Sequence, residues 1–259
     1  MKTKREERTG KSKPGKEWIY GLNPVLEAIR AGRNIEGIYL APSKKDSPKI
    51  LEIEEDAQKR NIFLKKRDIQ FFHAHFPKGH QGIAAEVFPK MYISLEKLLE
   101  IPSRKGDLPL FIILDLIEDP RNLGAILRVA DAAGVHGIVI QAHRSVTLGP
   151  EVAKSSAGAV EYVPVSLVTN IKHAMQDMRE KGITIAGAEA GADTVVWDLD
   201  LRIPLALVIG SEGKGLRKTV KESCDVLVNL PMRGSINSLN VSVAVGILTF
   251  EILRQRTKN

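Results

Sequence analysis

Cysteine is almost missing from this 259-residue chain: Cys224 stands alone. No internal disulfide can form, which fits a reducing cytosol, and the neighbouring strand-like residues predict a buried, inert thiol. Long apolar runs are missing too. The longest, FIILDLI and LALVIG, fall well short of a membrane span. The opening MKTKREERTGKSKPGKE lacks the apolar core of a secretory signal, so the expectation is a cytoplasmic chain with no membrane partner. Metal-ligand spacing is absent as well. His73, His75 and His80 in FFHAHFPKGHQG have no nearby cysteine or carboxylate at ligand spacing. They read as surface histidines among core aromatics, with base stacking as the alternative and no metal expected.

What is present points to a folded, two-domain protein. Hydrophobic residues make up 43% and charged residues 27%, enough to build a core, and the length suits two domains. A net charge of +7 favours an anionic partner such as nucleic acid. Residues 1–16 carry seven Lys or Arg and little to bury, predicting a disordered basic tail that touches phosphates or simply solubilises.

Order is predicted from YGLNPVLEAIRAG, where Asn23 can cap a helix, Pro24 suits its first position and Gly32 can end it. Strands follow at IEGIYLA, IFLKK and GIAAEVF. Between the first two, Ser47 and Pro48 start a helix whose Ile50, Ile53 and Ala57 share a side. This small α/β unit spans 17–89, and residues 90–109 read as one short helix followed by a linker. From 110 to 259, the strands LFIILDLI, HGIVIQ, GITIAGAE, LALVIG and DVLVNLP alternate with helices at 122–133, 150–160, 170–181 and 239–254. Unbroken apolar strands alternating with helices predict a mainly parallel α/β sheet with helices on both faces and ligands at the strand carboxyl ends.

Three strand-end loops stand out there. In DPRNLGAILRVADAAG, Asn122 can cap the helix, and Arg128 is placed either for chemistry or for an i,i+3 ion pair with Asp131. In IGSEGKGLRKT three glycines imply close backbone approach, yet the spacing fits neither a P-loop nor the dinucleotide fingerprint. Glu212 adds a carboxylate there. In LPMRGSINSLN, Ser235, Asn237, Ser238 and Asn240 surround a helix N-terminus, which needs only one of them as a cap. On their own the loops suit a nucleotide-like ligand in an α/β enzyme.

The stretches LDLIEDPRNLGAILRVADAAG, LVIGSEGKGLR and LPMRGSINSLNVSVAVGILTFE resemble the three ordered motifs of the SpoU (TrmH) branch of the SPOUT methyltransferases, across about residues 110–254. YGLNPVLEAI, IEGIYLA and HQGIAAEV resemble the RNA-binding domain of its RlmB type, related to ribosomal proteins of the L7Ae/L30e class. The resemblance implies a C-terminal domain with a deep trefoil knot, a homodimer, and S-adenosylmethionine as cofactor. It implies methyl transfer to a ribose 2′-hydroxyl of RNA, in the RlmB type a guanosine in the peptidyl-transferase loop of 23S rRNA, with no DNA partner. A tRNA ribose methyltransferase, or a non-catalytic ribosome-assembly protein, are the alternatives. It further implies that Gly210, Ser211, Leu230, Met232 and Leu239 bind the cofactor, and that Arg128, Asn122, Glu212, Ser238 and Asn240 serve catalysis.

Overall fold

Strand pairing divides the chain into two sheets, each in its own compact unit. The computed structural model describes residues 15–42, 47–235 and 238–257. Most of the basic tail, residues 1–14, and Asn237 of the third loop lie outside the described residues.

The first unit contains β1 (Glu17–Tyr20), α1 (Leu22–Arg30), β2 (Ile35–Leu40), α2 (Pro48–Lys59), β3 (Leu64–Lys66), α3 (Ile69–His75) and β4 (Ile83–Val87). Its strands run in the order β1-β4-β2-β3, with β4 antiparallel to both neighbours. Strand β1, EWIY, was not among the predicted strands; it is a four-residue edge strand, short enough to merge with the following helix signal. Helix α2 starts at Pro48 and buries Ile50, Ile53 and Ala57 as expected.

Asn23 does not cap α1. The helix starts at Leu22, and the cap position is Gly21 at φ 97° and ψ 153°, a backbone conformation essentially reserved for glycine. The Leu22 amide instead donates to Gln81 Oε1 at 3.1 Å, and Asn23 Oδ1 accepts from Lys49. A side chain 59 residues away supplies what the local sequence was expected to supply. In the histidine segment Phe72 and Phe76 are buried, as core aromatics should be, but His80 is buried with them. Its Nδ1 accepts from the Gly82 amide at 2.9 Å, so its Nε2 faces His73 Nδ1 at 3.2 Å. The tight turn through Gly82 carries this ring inward. Among the described residues no group of three His, Cys, Asp or Glu is arranged to hold a metal.

The second unit contains α4 (Leu95–Leu99), α5 (Ile101–Lys105), β5 (Leu110–Leu114), α6 (Pro120–Ala132) and β6 (Gly137–Gln141). After α7 (Pro150–Ser155) it continues with β7 (Val165–Val168), α8 (Ile171–Glu180), β8 (Thr184–Ala188), β9 (Thr194–Val195), β10 (Leu205–Ile209), α9 (Lys218–Lys221), β11 (Val226–Asn229) and α10 (Val241–Thr257). The order is β7-β6-β5-β10-β8-β11-β9, and every pairing is parallel. The five predicted strands form its interior; β7 and β9, four and two residues long, had too little pattern to read. Residues 90–109 are more ordered than a linker. Leu98 is fully buried against Phe111, Val139 and Met175, and Ile93 bridges to Ser166, because Leu95, Leu98 and Ile101 form an apolar helical face.

Helix α7 and the residues around it, Leu148–Tyr162, pack with the first unit. Arg33 donates to Glu17 at 2.5 Å and Glu161 at 2.7 Å, Tyr162 donates to Glu27 at 2.6 Å, and Lys154 donates to the Gly79 carbonyl at 2.6 Å. The end of α10 is fastened by Arg256, which donates to the carbonyls of Leu108, Pro109, Leu201 and Ile203. Burial lowers this guanidinium to about 10, so it stays charged at neutral pH.

Candidate active site

The carboxyl ends of β5, β10, β8 and β11 lie side by side, and the unusual loops leave from them. After β10 the chain turns on itself: the Ser211 amide donates to the Gly215 carbonyl at 3.1 Å, and the Gly215 amide to Ser211 at 2.9 Å. Gly213 and Gly215 take positive φ in that turn. Gly210 lies flush beneath it, where a Cβ would overlap the Gly215 carbonyl and the Leu216 amide. The close approach expected of these glycines is therefore first of all an approach of the loop to itself.

Asp115, at the end of β5 and fully buried, holds this loop from below. One carboxylate oxygen accepts from Arg217 Nε at 2.7 Å and the other from the Arg217 amide at 3.0 Å. Arg217 also donates to Gln141 Oε1 at 2.7 Å. A buried carboxylate is tolerated when its lone pairs are met by a charged fork, as here. The loop is a fixed wall.

Against that wall opens a cavity of about 390 Å³. Ala188, Glu189 and Ala190 line it from β8. Ile209 to Gly213 and Gly215 line it from the β10 loop. Val228, Leu230, Met232, Ser238 and Leu239 line it from the β11 segment, with Val241, Ala244 and Leu248 of α10 closing the floor. Its walls are mainly apolar side chains and backbone, and its two charged members, Glu189 and Glu212, are both carboxylates. Lys221 Nζ donates to Glu189 at 2.9 Å, so the space suits a ligand with a flat apolar body and polar edges, with Glu212 left to face a positive charge.

The five residues expected to bind a cofactor, Gly210, Ser211, Leu230, Met232 and Leu239, all line this cavity, as do Glu212 and Ser238. Asn122 and Asn240 sit beside it in a hydrogen-bonded chain. Asn240 Nδ2 donates to Asn122 Oδ1 at 3.1 Å, and Asn122 Nδ2 reaches Glu212 Oε2 at 3.4 Å. Helix α6 begins at Pro120 with Asp119 as its cap, accepting from the Arg121 amide at 2.7 Å. Asn122 is thus not the cap. The earlier start leaves its side chain free to bridge two loops. Asn240 does cap α10, accepting from the Ser242 amide at 3.0 Å, while its other end holds Asn122. Arg128 is not joined to this chain. It is exposed on α6 without a hydrogen-bond or ion-pair partner among the described residues.

Sequence reasoning missed Glu189 and the Asp115–Arg217–Gln141 support. An acid closing the apolar strand GITIAGAE, and an aspartate inside FIILDLI, were the available signals. A charge within a buried run must have a partner, but nothing in the sequence names one 102 residues away. Cys224 lies under β8, beneath Gly187, and burial pushes its thiol up to about 12.

A family model described as the SpoU rRNA methylase family matches residues 109–250, and one described as RNA 2′-O ribose methyltransferase substrate binding matches residues 18–93. YacO of Bacillus subtilis strain 168, provisionally named a TrmH family tRNA/rRNA methyltransferase, is 40% identical over 93% of this chain and 96% of its own length. RlmB of Pseudomonas aeruginosa, named a 23S rRNA (guanosine-2′-O-)-methyltransferase, is 39% identical over 93% of this chain and 97% of its own. The SpoU methyltransferase AviRb from Streptomyces viridochromogenes, solved with AdoMet, shares the fold at a TM-score of 0.78 and 24% identity, covering 95% of this chain and 92% of that one.

Proposed function

The chain belongs to the SpoU rRNA methylase family, and on that premise we propose that it transfers a methyl group from S-adenosylmethionine to a ribose 2′-hydroxyl of a guanosine in 23S rRNA. The observation that carries this reading is the Asn240–Asn122–Glu212 chain at the rim of the cavity. Polar groups drawn from three loops meet beside a ligand space whose shape and charge suit that cofactor.

S-adenosylmethionine supplies a methyl group already activated on a sulfonium, so the protein's work is placement and management of one proton. Leu230 and Leu239 would flank the adenine, with Gly210, Ser211 and Met232 as neighbours. Of the two wall carboxylates, Glu189 is paired with Lys221, and Glu212 favours a cationic ligand. Arg128 acts by stabilising the developing 2′-alkoxide rather than as a base, because a guanidinium presents five donors and no acceptor. Glu212, steered by Asn122, a water or an RNA phosphate takes the proton. Ser238 and Asn240 complete the polar edge.

Several further features fit the family. Val243, Ile247 and Phe250 leave an apolar stripe on the outer face of α10, 37 to 49% exposed, which a second copy of the chain would cover in a homodimer. The return of the β11 segment to the β5 loop supports the knotted topology. The 23S guanosine target rests on the near full-length similarity to RlmB, and the cytoplasm is the compartment that holds this RNA. A tRNA target has one specific support, the tRNA/rRNA naming of YacO.

The test is a map of 2′-O-methyl groups on rRNA and tRNA from cells with and without the gene. Loss at one 23S guanosine is the expected result; loss confined to tRNA overturns the rRNA assignment. In vitro, Arg128→Ala is expected to lower turnover by at least about 100-fold while leaving cofactor affinity nearly intact. Near-normal turnover in that variant refutes the role of Arg128.

A further inference from the structure

Arginine side chains in a folded protein generally find acceptors, because the guanidinium presents five donors in a fixed fork. Ten of the fourteen described arginines are engaged, Arg217 at the carboxyl edge of the large sheet among them. Arg33 bonds two carboxylates, Arg179 bonds Asp225, Arg217 bonds Asp115 and Arg256 bonds backbone carbonyls. Arg67 lies over the Phe71 ring, and the remainder bond carboxylates or a carbonyl. Four described arginines have no side-chain partner among the described residues: Arg121, Arg128, Arg144 and Arg233. All four are exposed.

Their positions in the chain are unrelated, but their positions in the fold are not. Arg121 and Arg128 lie on α6, which leaves the end of β5. Arg144 lies in the loop that leaves β6, the strand next to β5. Arg233 directly follows the cavity residue Met232 in the segment that leaves β11. The three segments are tied together. The Val146 amide donates to the Ile117 carbonyl at 3.0 Å, joining the β6 loop to the β5 loop, and Asn240 joins the β11 segment to Asn122. Asp119 stands in the same loop as Arg121, but its carboxylate accepts from the Arg121 amide and makes no ion pair with the guanidinium.

Arg144 carries a second mark. Its φ of 55° puts a non-glycine residue in the left-handed region, as does Leu116 at 60° in the neighbouring loop. Such a conformation is strained for a residue that carries a Cβ, and persists where it aims a side chain for use. Here the Ile117 junction holds the strained loop in place.

We propose that Arg121, Arg144 and Arg233 form an anion track centred on Arg128. The track takes successive phosphodiester groups of the RNA strand that carries the target ribose. The strand then runs across the carboxyl edge, from the β6 loop past Arg128 to the β11 segment. This inference rests on the methyltransferase reading, and its test reads RNA binding directly so that the two stand or fall separately.

Affinity for a 23S rRNA transcript spanning the peptidyl-transferase loop is measured over a salt series for Arg121→Ala, Arg144→Ala and Arg233→Ala. Each loss of a phosphate contact should flatten the slope of log K against log salt by about 0.7–0.9. The KM for RNA should rise, with kcat at saturating RNA and cofactor affinity unchanged. Arg144→Lys, which keeps the charge, should restore the slope. Arg104→Ala, which removes an arginine paired with Glu100 on α5, should leave it unmoved. Unchanged slopes in the three alanine variants overturn the track. So does a shift to monomer by sedimentation with slopes intact, which would assign these arginines to a subunit contact. A wild-type protein that binds RNA with the expected slopes but methylates none overturns the functional reading and leaves the track standing.

Discussion

Gly210 shows how much one missing methyl group can decide. Its Cα faces backbone rather than a flexible side chain, so an added Cβ has no neighbour that can rotate away. Gly210→Ala should cost about 1–3 kcal/mol in folding stability through overpacking. The displaced wall should lower S-adenosylmethionine affinity at least about tenfold. Urea midpoints and calorimetric titration measure the two effects; an alanine variant with normal cofactor affinity would show that the loop is not the wall described. The same residue marks what the sequence can convey at this scale. Three glycines in ten residues announced a close approach, and the approach is real, but its partner, Gly215, is five residues on and could equally have been a ligand. Asp115 is the reverse case: its oddity inside an apolar strand was visible, whereas Arg217 as its partner required the folded sheet.

At the scale of elements, strands with four or five consecutive buried apolar residues were legible from pattern alone. Short strands were not, and neither was the order β5-β10-β8-β11, because periodicity carries no information about which parallel neighbours a strand chooses. Helix starts were misplaced where the cap came from elsewhere, as with Gln81 at α1. His136, just before β6, offers a test of how the strand ends are built. It is buried, and its Nδ1 accepts from the Leu110 amide at 3.1 Å. Burial lowers its pKa below the usual 6.5, outweighing the nearby Asp107. The folded state then binds fewer protons than the unfolded chain below about pH 6.5, so stability is complete above that pH and declines as pH falls through it. Urea midpoints between pH 7.5 and 5.5 should drop, and His136→Asn, which keeps an acceptor for Leu110, should flatten the decline. An unaltered pH profile in that variant would assign the decline to other groups.

For the molecule as a whole, α10 is apolar on both faces: Val245, Leu248 and Ile252 are buried, while Val243, Ile247 and Phe250 face outward. Ile247→Glu should convert the proposed dimer to monomer in sedimentation velocity, with the core face untouched; a variant that stays dimeric moves the interface elsewhere. Connectivity makes a separate statement. Because Leu148–Tyr162 packs with the first unit while the chain on either side belongs to the second, neither unit is one continuous stretch of sequence. A single proteolytic cut between residues 91 and 109 should therefore leave two fragments that migrate together under native conditions and part only in denaturant. Fragments that separate natively would contradict this packing. The same arrangement bears on inheritance. A recombination event that exchanged residues 1–91 for a different RNA-binding module would strand Val152, Val160 and the buried Glu161 without their cover. The two halves are thus constrained to change together, as one heritable unit rather than as interchangeable parts.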